Sequence, residues 1–191
     1  KAGKTIVSVD SYYGLNQQLG TIGVMNGAEF AEYKRESRRA VGQYSLGAAN
    51  AIDDAKIFEP RELASIASGR STDYVNGMLR AGAIQSHQVG VSGGTENTQF
   101  NISGNFFNDI GVVKMQDFSR YTFRVNLDHR INRNVKIGLS TLVVNSLRNG
   151  ENLNHLGGAM QENPLGEPYD ANCNSVFLPT NDGLRTNPFS E

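Results

Sequence analysis

Few residues in this chain have the types and spacing that could do chemistry. In "YDANCNSVFLPTND", Asp170, Asn172 and Asn174 alternate as the oxygen ligands that open a calcium loop do. An EF-hand would need Gly where Ser175 stands and Glu where Asn181 stands. Both are missing, so residues 170–174 are expected to form a solvated surface loop. His87, His129 and His155 show no ligand spacing and read as surface or rim positions, the first two near the short-turn half of their strands. Cys173 has no neighbouring His motif to make it a nucleophile, and alone it says little about redox compartment. "SGGTENT" is rich in Gly but lacks the Lys-Ser/Thr of a phosphate loop, so it reads as a hairpin turn. Glu29, Glu32 and Glu36 form a charged helix face, not an acid/base pair. "RESRR", residues 35–39, reads first as a solvated helix end and second as a docking surface for a partner or acidic headgroups. No catalytic, metal or cofactor-binding residue is expected, and no enzyme activity.

Composition narrows the classes further. A net charge of −1 gives no long-range attraction to nucleic acid, so no nucleic-acid partner is expected. The chain is polar and rich in turns, with 21 Gly and no Trp, yet its hydrophobic residues are too strongly patterned for disorder. No apolar run reaches the roughly 18 residues of a transmembrane helix, which leaves barrel strands open because they need only alternate. The chain starts at Lys1 without Met or a signal-peptide pattern and reads as an excised piece or processed product.

Five segments alternate with period two: 5–14, 84–93, 98–108, 118–131 and 134–147. The expected fold is mainly β, with antiparallel up-and-down strands. Turns at 93–97 and 132–134 are short, with residues that tolerate positive φ. Residues 109–117 make a longer link, 15–83 a very long one, and 148–191 an Asn/Gly/Pro-rich tail. Short turns at one end and long loops at the other are the habit of outer-membrane barrels. The long connection holds helices. One has Asn26 as N-cap, Glu29 to complete a capping box, a Met25–Phe30 staple and Gly42 at its end. A second spans Pro60 to about Ser68, and a third begins at Asp73.

The strands are long for a soluble protein and suit a tilted crossing of the apolar layer. Val89, Val91, Phe100, Ile102, Phe106, Tyr121, Phe123, Val125, Leu127, Ile137 and Leu139 are expected to face lipid. Asn101, Ser103, Asn105, Thr122, Arg124, Asn126 and Asp128 are expected to face a watery lumen or a plug inside it. Tyr12, Tyr13, Phe106, Phe107, Phe118 and Tyr121 gather near the long-loop end, either as an interfacial girdle or through ordinary β-propensity.

"KAGKTIVSVDSYYG", "VMNGAEFAEYKRE", the run from Thr72 to Gly138 and "GEPYDANCN" resemble, in order, the SusC/RagA-like TonB-dependent outer-membrane transporters. The middle run is the most specific. The resemblance implies an N-terminal plug followed by a barrel of about 22 strands, an outer-membrane location in a Gram-negative cell, and a SusD-like surface lipoprotein as partner. It implies import of oligosaccharide or peptide, driven by TonB through an N-terminal part beyond this chain. Residues 1–191 would then be a partial barrel, with 15–83 and 148–191 as extracellular loops. The rival reading is a soluble β-rich glycan-binding module, which needs a second sheet to cover Phe123, Val125 and Leu127. Tyr33, Tyr44, Phe58 and Tyr74 could stack on sugars or simply pack locally.

Overall fold

The computed structural model describes residues 3–20, 22–44, 51–150, 155–180 and 185–190. They divide into two compact units, Lys1–Leu19 with Arg80–Asn152, and Gly20–Leu79 with Leu153–Glu191.

The first unit is one antiparallel sheet in the order β1 (Gly3–Asn16), β2 (Gly82–Gly94), β3 (Thr98–Ile110), β4 (Asp117–Arg130) and β5 (Lys136–Asn149). Every strand pairs with its neighbour in sequence, an up-and-down meander with no crossover. The strands run 13–14 residues. β3 and β4 extend further toward each other than the alternation suggests, so the expected link at 109–117 shrinks to 111–116. That link is closed by Gly111 N–H donating to Gln116 O (2.9 Å). At the other end Asn132 Oδ1 accepts from the N–H of Asn134 and of Val135, both at 2.9 Å, an Asx turn that fixes the β4–β5 register. In the β2–β3 turn, Gly94 has φ +155°, and a Cβ there would run into Thr98 O; only Gly fits.

Among the described residues, the eight buried hydrophobic ones, Ala31, Tyr44, Phe58, Tyr74, Val75, Met78, Ala159 and Leu165, belong to the second unit. The sheet therefore has no core of its own among the described residues, and β5 is exposed at every position. There is also no second sheet among them to cover the oily face, as the soluble-module reading would need.

The second unit contains α1 (Gly27–Ala40), α2 (Ala51–Ile57), α3 (Pro60–Ser68), α4 (Tyr74–Gly77) and α5 (His155–Gln161). The capping box is present: Glu29 N–H donates to Asn26 Oδ1, and Asn26 N–H to Glu29 Oε2, both at 3.0 Å. α1 ends in a Schellman arrangement, with Gly42 at φ +71° and the Gln43 N–H donating to Arg38 O at 2.8 Å. α3 begins at Pro60 and ends before left-handed Gly69. α2 and α5 were not signalled. α5 contains Gly157 and Gly158, poor helix formers, and is held by Leu156 and Ala159 packing against Tyr74, Val75 and Met78. The tail thus folds against the long connection instead of hanging as a loop.

Aromatic residues here are structural. Phe58 packs with Ala31 and Leu165. Tyr74 stacks near Phe189, with ring centroids 5.1 Å apart. Tyr44 is buried, while Tyr33 stays exposed. Within "RESRR", Arg35 and Arg39 are recruited into the unit, while Glu36, Ser37 and Arg38 stay exposed, as a solvated helix end would be. Arg35 donates from Nε and Nη2 to the two carboxylate oxygens of Asp54 (2.9 and 2.8 Å), and Arg39 bonds to Glu32 and Glu36, both at 2.7 Å. Arg35 lies over the Phe58 ring and Arg39 over Tyr44.

Hydrogen bonds from Arg35, and then from the Tyr44 hydroxyl, hold the Asp54 carboxyl below the usual carboxylate range. A lowered folded pKa gives stabilisation that is present above the unfolded value, near 3.9, and lost as pH falls through the folded one. The protection factors of the α2 amides, exchange rates corrected for the intrinsic pH dependence, should therefore fall in that acid window and be nearly level above about pH 5. Asp54→Asn should flatten the profile; an unchanged profile in the variant would assign the acid response to another group.

Candidate functional site

Directly paired residues of an antiparallel sheet share a face. The register places Phe100 opposite Leu127, Ile102 opposite Val125 and Phe106 opposite Tyr121, with Val91 beside Ile102. Leu139 pairs with Leu127 and Ile137 with His129, while Val89, Gly104 and Phe123 share one row. The eleven residues expected to face lipid thus lie together on one face. Asn101, Ser103, Asn105, Thr122, Arg124, Asn126 and Asp128 lie on the other.

Charge separates the faces more sharply than hydrophobicity. From Ile6 to Asn149, the apolar face carries one Asp and no Glu, Lys or Arg. The exception is Asp117 at the sheet's end, which is paired with Arg80. The polar face carries Asp10, Asp109, Arg120, Arg124, Asp128, Arg130, Lys136 and Arg148. Excluding charge from an open face while leaving Val, Phe and Leu on it suits a hydrocarbon environment, where unpaired charge is costly. From the Tyr121 row to the His129 row is eight residues, or about 26 Å at 3.3 Å each. At a tilt of roughly 40° that becomes about 20 Å along the barrel normal, close to the apolar band of an outer-membrane barrel.

The aromatic layer needs correction. Its six rings stand at similar heights but do not share a face. Tyr13, Phe106 and Tyr121 are on the apolar face; Tyr12, Phe107 and Phe118 are on the polar one. His87, expected near the short turns, instead sits in the aromatic row, stacked 6.3 Å from Phe106, which in turn lies 5.1 Å from Tyr121. Both strand histidines bond a hydroxyl on the next strand at 2.7 Å, His87 to Ser11 and His129 to Thr98. They mark the upper and lower rows of the uncharged band.

The polar-face aromatics build something else. Phe107 and Phe118 tilt against each other at 6.0 Å; Arg120 lies 5.4 Å over Phe107 and Arg148 5.5 Å over Phe118. A cation over a ring face at these distances is held by the ring's quadrupole. Beside this cluster a cleft of about 1170 Å³ opens, lined by Phe118 and Arg148 with Asn16, Asp109 and Asn149. Asp109 accepts from Asn16 Nδ2 at 3.3 Å. Lower on the same face, Ser140 donates to Asn126 (2.9 Å), Asn105 to Ser86 (3.0 Å), and Lys136 pairs with Asp128 at 3.2 Å. The sequence reading missed Phe107, Phe118, Arg120 and Arg148 as a group because it sorted rings by height. The alternation of "NFFNDI" and "DFSRYTFR" already assigns them to the face of Asn105 and Arg124.

The loop at 170–174 closes on itself. Asp170 Oδ1 accepts from the N–H of Asn172 and Asn174 (2.8 Å each), and Oδ2 from Asn174 Nδ2 (3.1 Å). Those bonds, chiefly from Asn174, lower the Asp170 pKa. Asn181 lies outside the described residues.

No protein-family model matches the chain. Among curated proteins it is 27% identical, over 149 residues, to "TonB-dependent receptor P3" of Formosa agariphila, a stretch that is 78% of this chain and 12% of the receptor. It is 24% identical over 127 residues to "TonB-dependent receptor SusC" of Bacteroides thetaiotaomicron, 66% of this chain and 12% of that protein. The chain is similar to TonB-dependent receptors, SusC among them. Its match to "TonB-dependent receptor P26" of Formosa agariphila is shorter, 34% over 68 residues, or 36% of this chain and 7% of that receptor. In fold it superposes along its whole length on a chain of the RagAB peptide importer in its "closed-closed" state, with TM-score 0.70, 17% identity and 24% of that chain covered. The likeness in fold therefore includes both the sheet and the helical unit, while the aligned sequence spans about an eighth of the receptors' length.

Proposed function

We propose that this chain is a length of wall, with its surface loops, from an outer-membrane TonB-dependent nutrient importer of a Gram-negative cell. Its apolar face meets lipid and its polar face lines the lumen. The connections at 15–83 and 148–191 lie on the extracellular side, where a SusD-like lipoprotein docks and oligosaccharide or peptide enters. Energy comes through TonB, acting on a part of the protein outside this chain. The observation that carries this reading is the face that holds Val, Phe and Leu uncovered among the described residues and, apart from Asp117 at its end, carries no Asp, Glu, Lys or Arg from Ile6 on. The likeness to SusC and to the RagAB importer supports it.

Spin labels on single cysteines test the wall, with Cys173 replaced by Ser. In the complete protein in vesicles, labels at 123 and 125 should be relaxed by oxygen, and those at 124 and 126 by a water-soluble nickel chelate. Equal accessibility on both faces would overturn the wall. Deleting the complete protein should abolish energy-dependent uptake of at least one member of a panel of oligosaccharides and peptides. A deletion strain that imports the whole panel like its parent would overturn the importer.

A further inference from the structure

The apolar face is not uniform along its length. From the Phe123 row to the Leu127 row its paired residues are Val, Ile, Leu and Phe, apart from Gly93, Gly104 and Thr141. The Tyr121 row instead carries Ser11, His87 and Asn145, and the row above it Tyr13, Gln85, Asn108 and Ser119. These two rows bear amides, hydroxyls and one imidazole, and no Asp, Glu, Lys or Arg. Ser119 donates to Asn108 Oδ1, and Ser11 bonds His87 Nδ1, both at 2.7 Å. The side-chain amides of Gln85 and Asn145 make no hydrogen bond among the described residues, and Asn145 is exposed. The cations at this end of the sheet are turned to other tasks or stand off the strands. Arg80 holds Asp117, Arg120 and Arg148 are on the polar face, and Lys114 lies in the 111–116 link, five residues from Ser119.

We infer that these two rows form a binding belt for a glycolipid with an uncharged sugar headgroup, in the leaflet at the long-loop end. The inference rests on the wall reading and names the lipid that this part of the wall meets. The belt begins where the rows suited to hydrocarbon stop, so headgroups and not acyl chains lie against it. Its two rows are about 7 Å apart along the strands, or about 5 Å along the barrel normal at a tilt of roughly 40°. Recognition of a phosphate calls for Lys, Arg or spare main-chain N–H groups, and the belt has no such side chain, while its N–H groups serve the strand ladders. A phosphodiester also has no hydrogen to donate, so it would leave the carbonyl oxygens of Gln85 and Asn145 without donors. Sugar hydroxyls both donate and accept, which matches amide and phenol groups. Tyr13 and Tyr121, both exposed, suit the same layer, with an apolar ring toward the chains and a hydroxyl among the headgroups.

The test uses the complete protein in vesicles made of equal parts of digalactosyldiacylglycerol, phosphatidylglycerol and phosphatidylethanolamine, at about pH 8, where an ordinary imidazole is neutral. All three lipids carry the same acyl chain with a diazirine close to the glycerol, so they differ in headgroup alone, and both leaflets have one composition. After irradiation, adducts are mapped at the belt, on Ser119 to Tyr121 and Asn145 to Leu147, and at the lower end, on Leu127, Ile137 and Leu139. The ratio of belt to lower-end labelling should be about fivefold higher for the galactolipid than for the other two, the factor that two hydrogen bonds at the weak end of their range supply. Asn145→Leu should bring that preference down to about twofold. The wild-type ratios need no variant, so a substitution that failed to assemble would not shield the proposal. Equal ratios for the three lipids would overturn it, as would a higher ratio for either phospholipid, and a preference unmoved by Asn145→Leu would overturn the belt as its source. Lipids that label the whole apolar face alike leave the wall standing without the belt. An apolar face that no lipid labels is the separate failure of the wall reading, and this inference falls with it.

Discussion

Phe123→Arg should destabilise the assembled barrel by about 2–4 kcal/mol, and Asn126→Arg by far less. The two positions are three residues apart on β4 and face opposite ways. Phe123 is 49% exposed, and its row contains Val9, Val89, Gly104 and Val143, none of which can receive a cation. Its distance from the Tyr121 row is two residues, about 7 Å along the strand, which an arginine stem partly bridges by snorkelling. The cost at 123 should therefore fall in the lower part of the range. Val125→Arg, one row nearer the middle of the band, should exceed it. Asn126 has Asn101 and Ser140 beside it, and an arginine there joins a face that already carries Arg124 and Arg130. Equilibrium unfolding of the complete protein in vesicles reads all three. Equal costs at 123 and 126 would mean that neither face meets lipid.

The sheet was legible because one physical rule, alternation, dominates every strand of it. A sheet with two unlike faces needs no long-range packing code, so "YTFRVNLD" states its faces outright. Turn chemistry was legible for a similar reason: Gly94 and Asn132 act within a few residues of themselves. What escaped was whatever depends on distant partners. α5 exists because Leu156 and Ala159 find Tyr74 and Met78, some eighty residues away, and nothing local in "HLGGAMQ" says so. Arg35 looked solvated because its partner Asp54 stands nineteen residues on. The aromatic–arginine cluster was a different kind of miss. Its information was local, but the six rings were grouped by height along the strand, and the girdle alternative left unasked which face each ring takes.

Glu62→Ala should be the most damaging single change in the helical unit, at about 3–5 kcal/mol. Glu62 is 2% exposed and leaves little of its carboxylate unused. Lys34 Nζ donates to both oxygens at 3.0 and 2.9 Å, Asn163 Nδ2 to Oε1 at 2.7 Å, and the Glu59 N–H to Oε2 at 2.8 Å. One side chain thereby ties α1, the start of α3 and the segment after α5. Truncation would strand an ammonium and an amide with no acceptor and leave a void beside Ser65, itself fully buried and bonded to Leu165 O at 2.8 Å. Glu36→Ala, on α1, is the matched control. Its side chain is 70% exposed and meets Arg39 at the surface, where an ion pair is worth about 0–1 kcal/mol. Native-state hydrogen exchange of the α3 amides separates them. Protection should fall by roughly two to four powers of ten for Glu62→Ala and hardly move for Glu36→Ala. Similar losses in both would show that helix charge, and not the buried junction, holds this unit together.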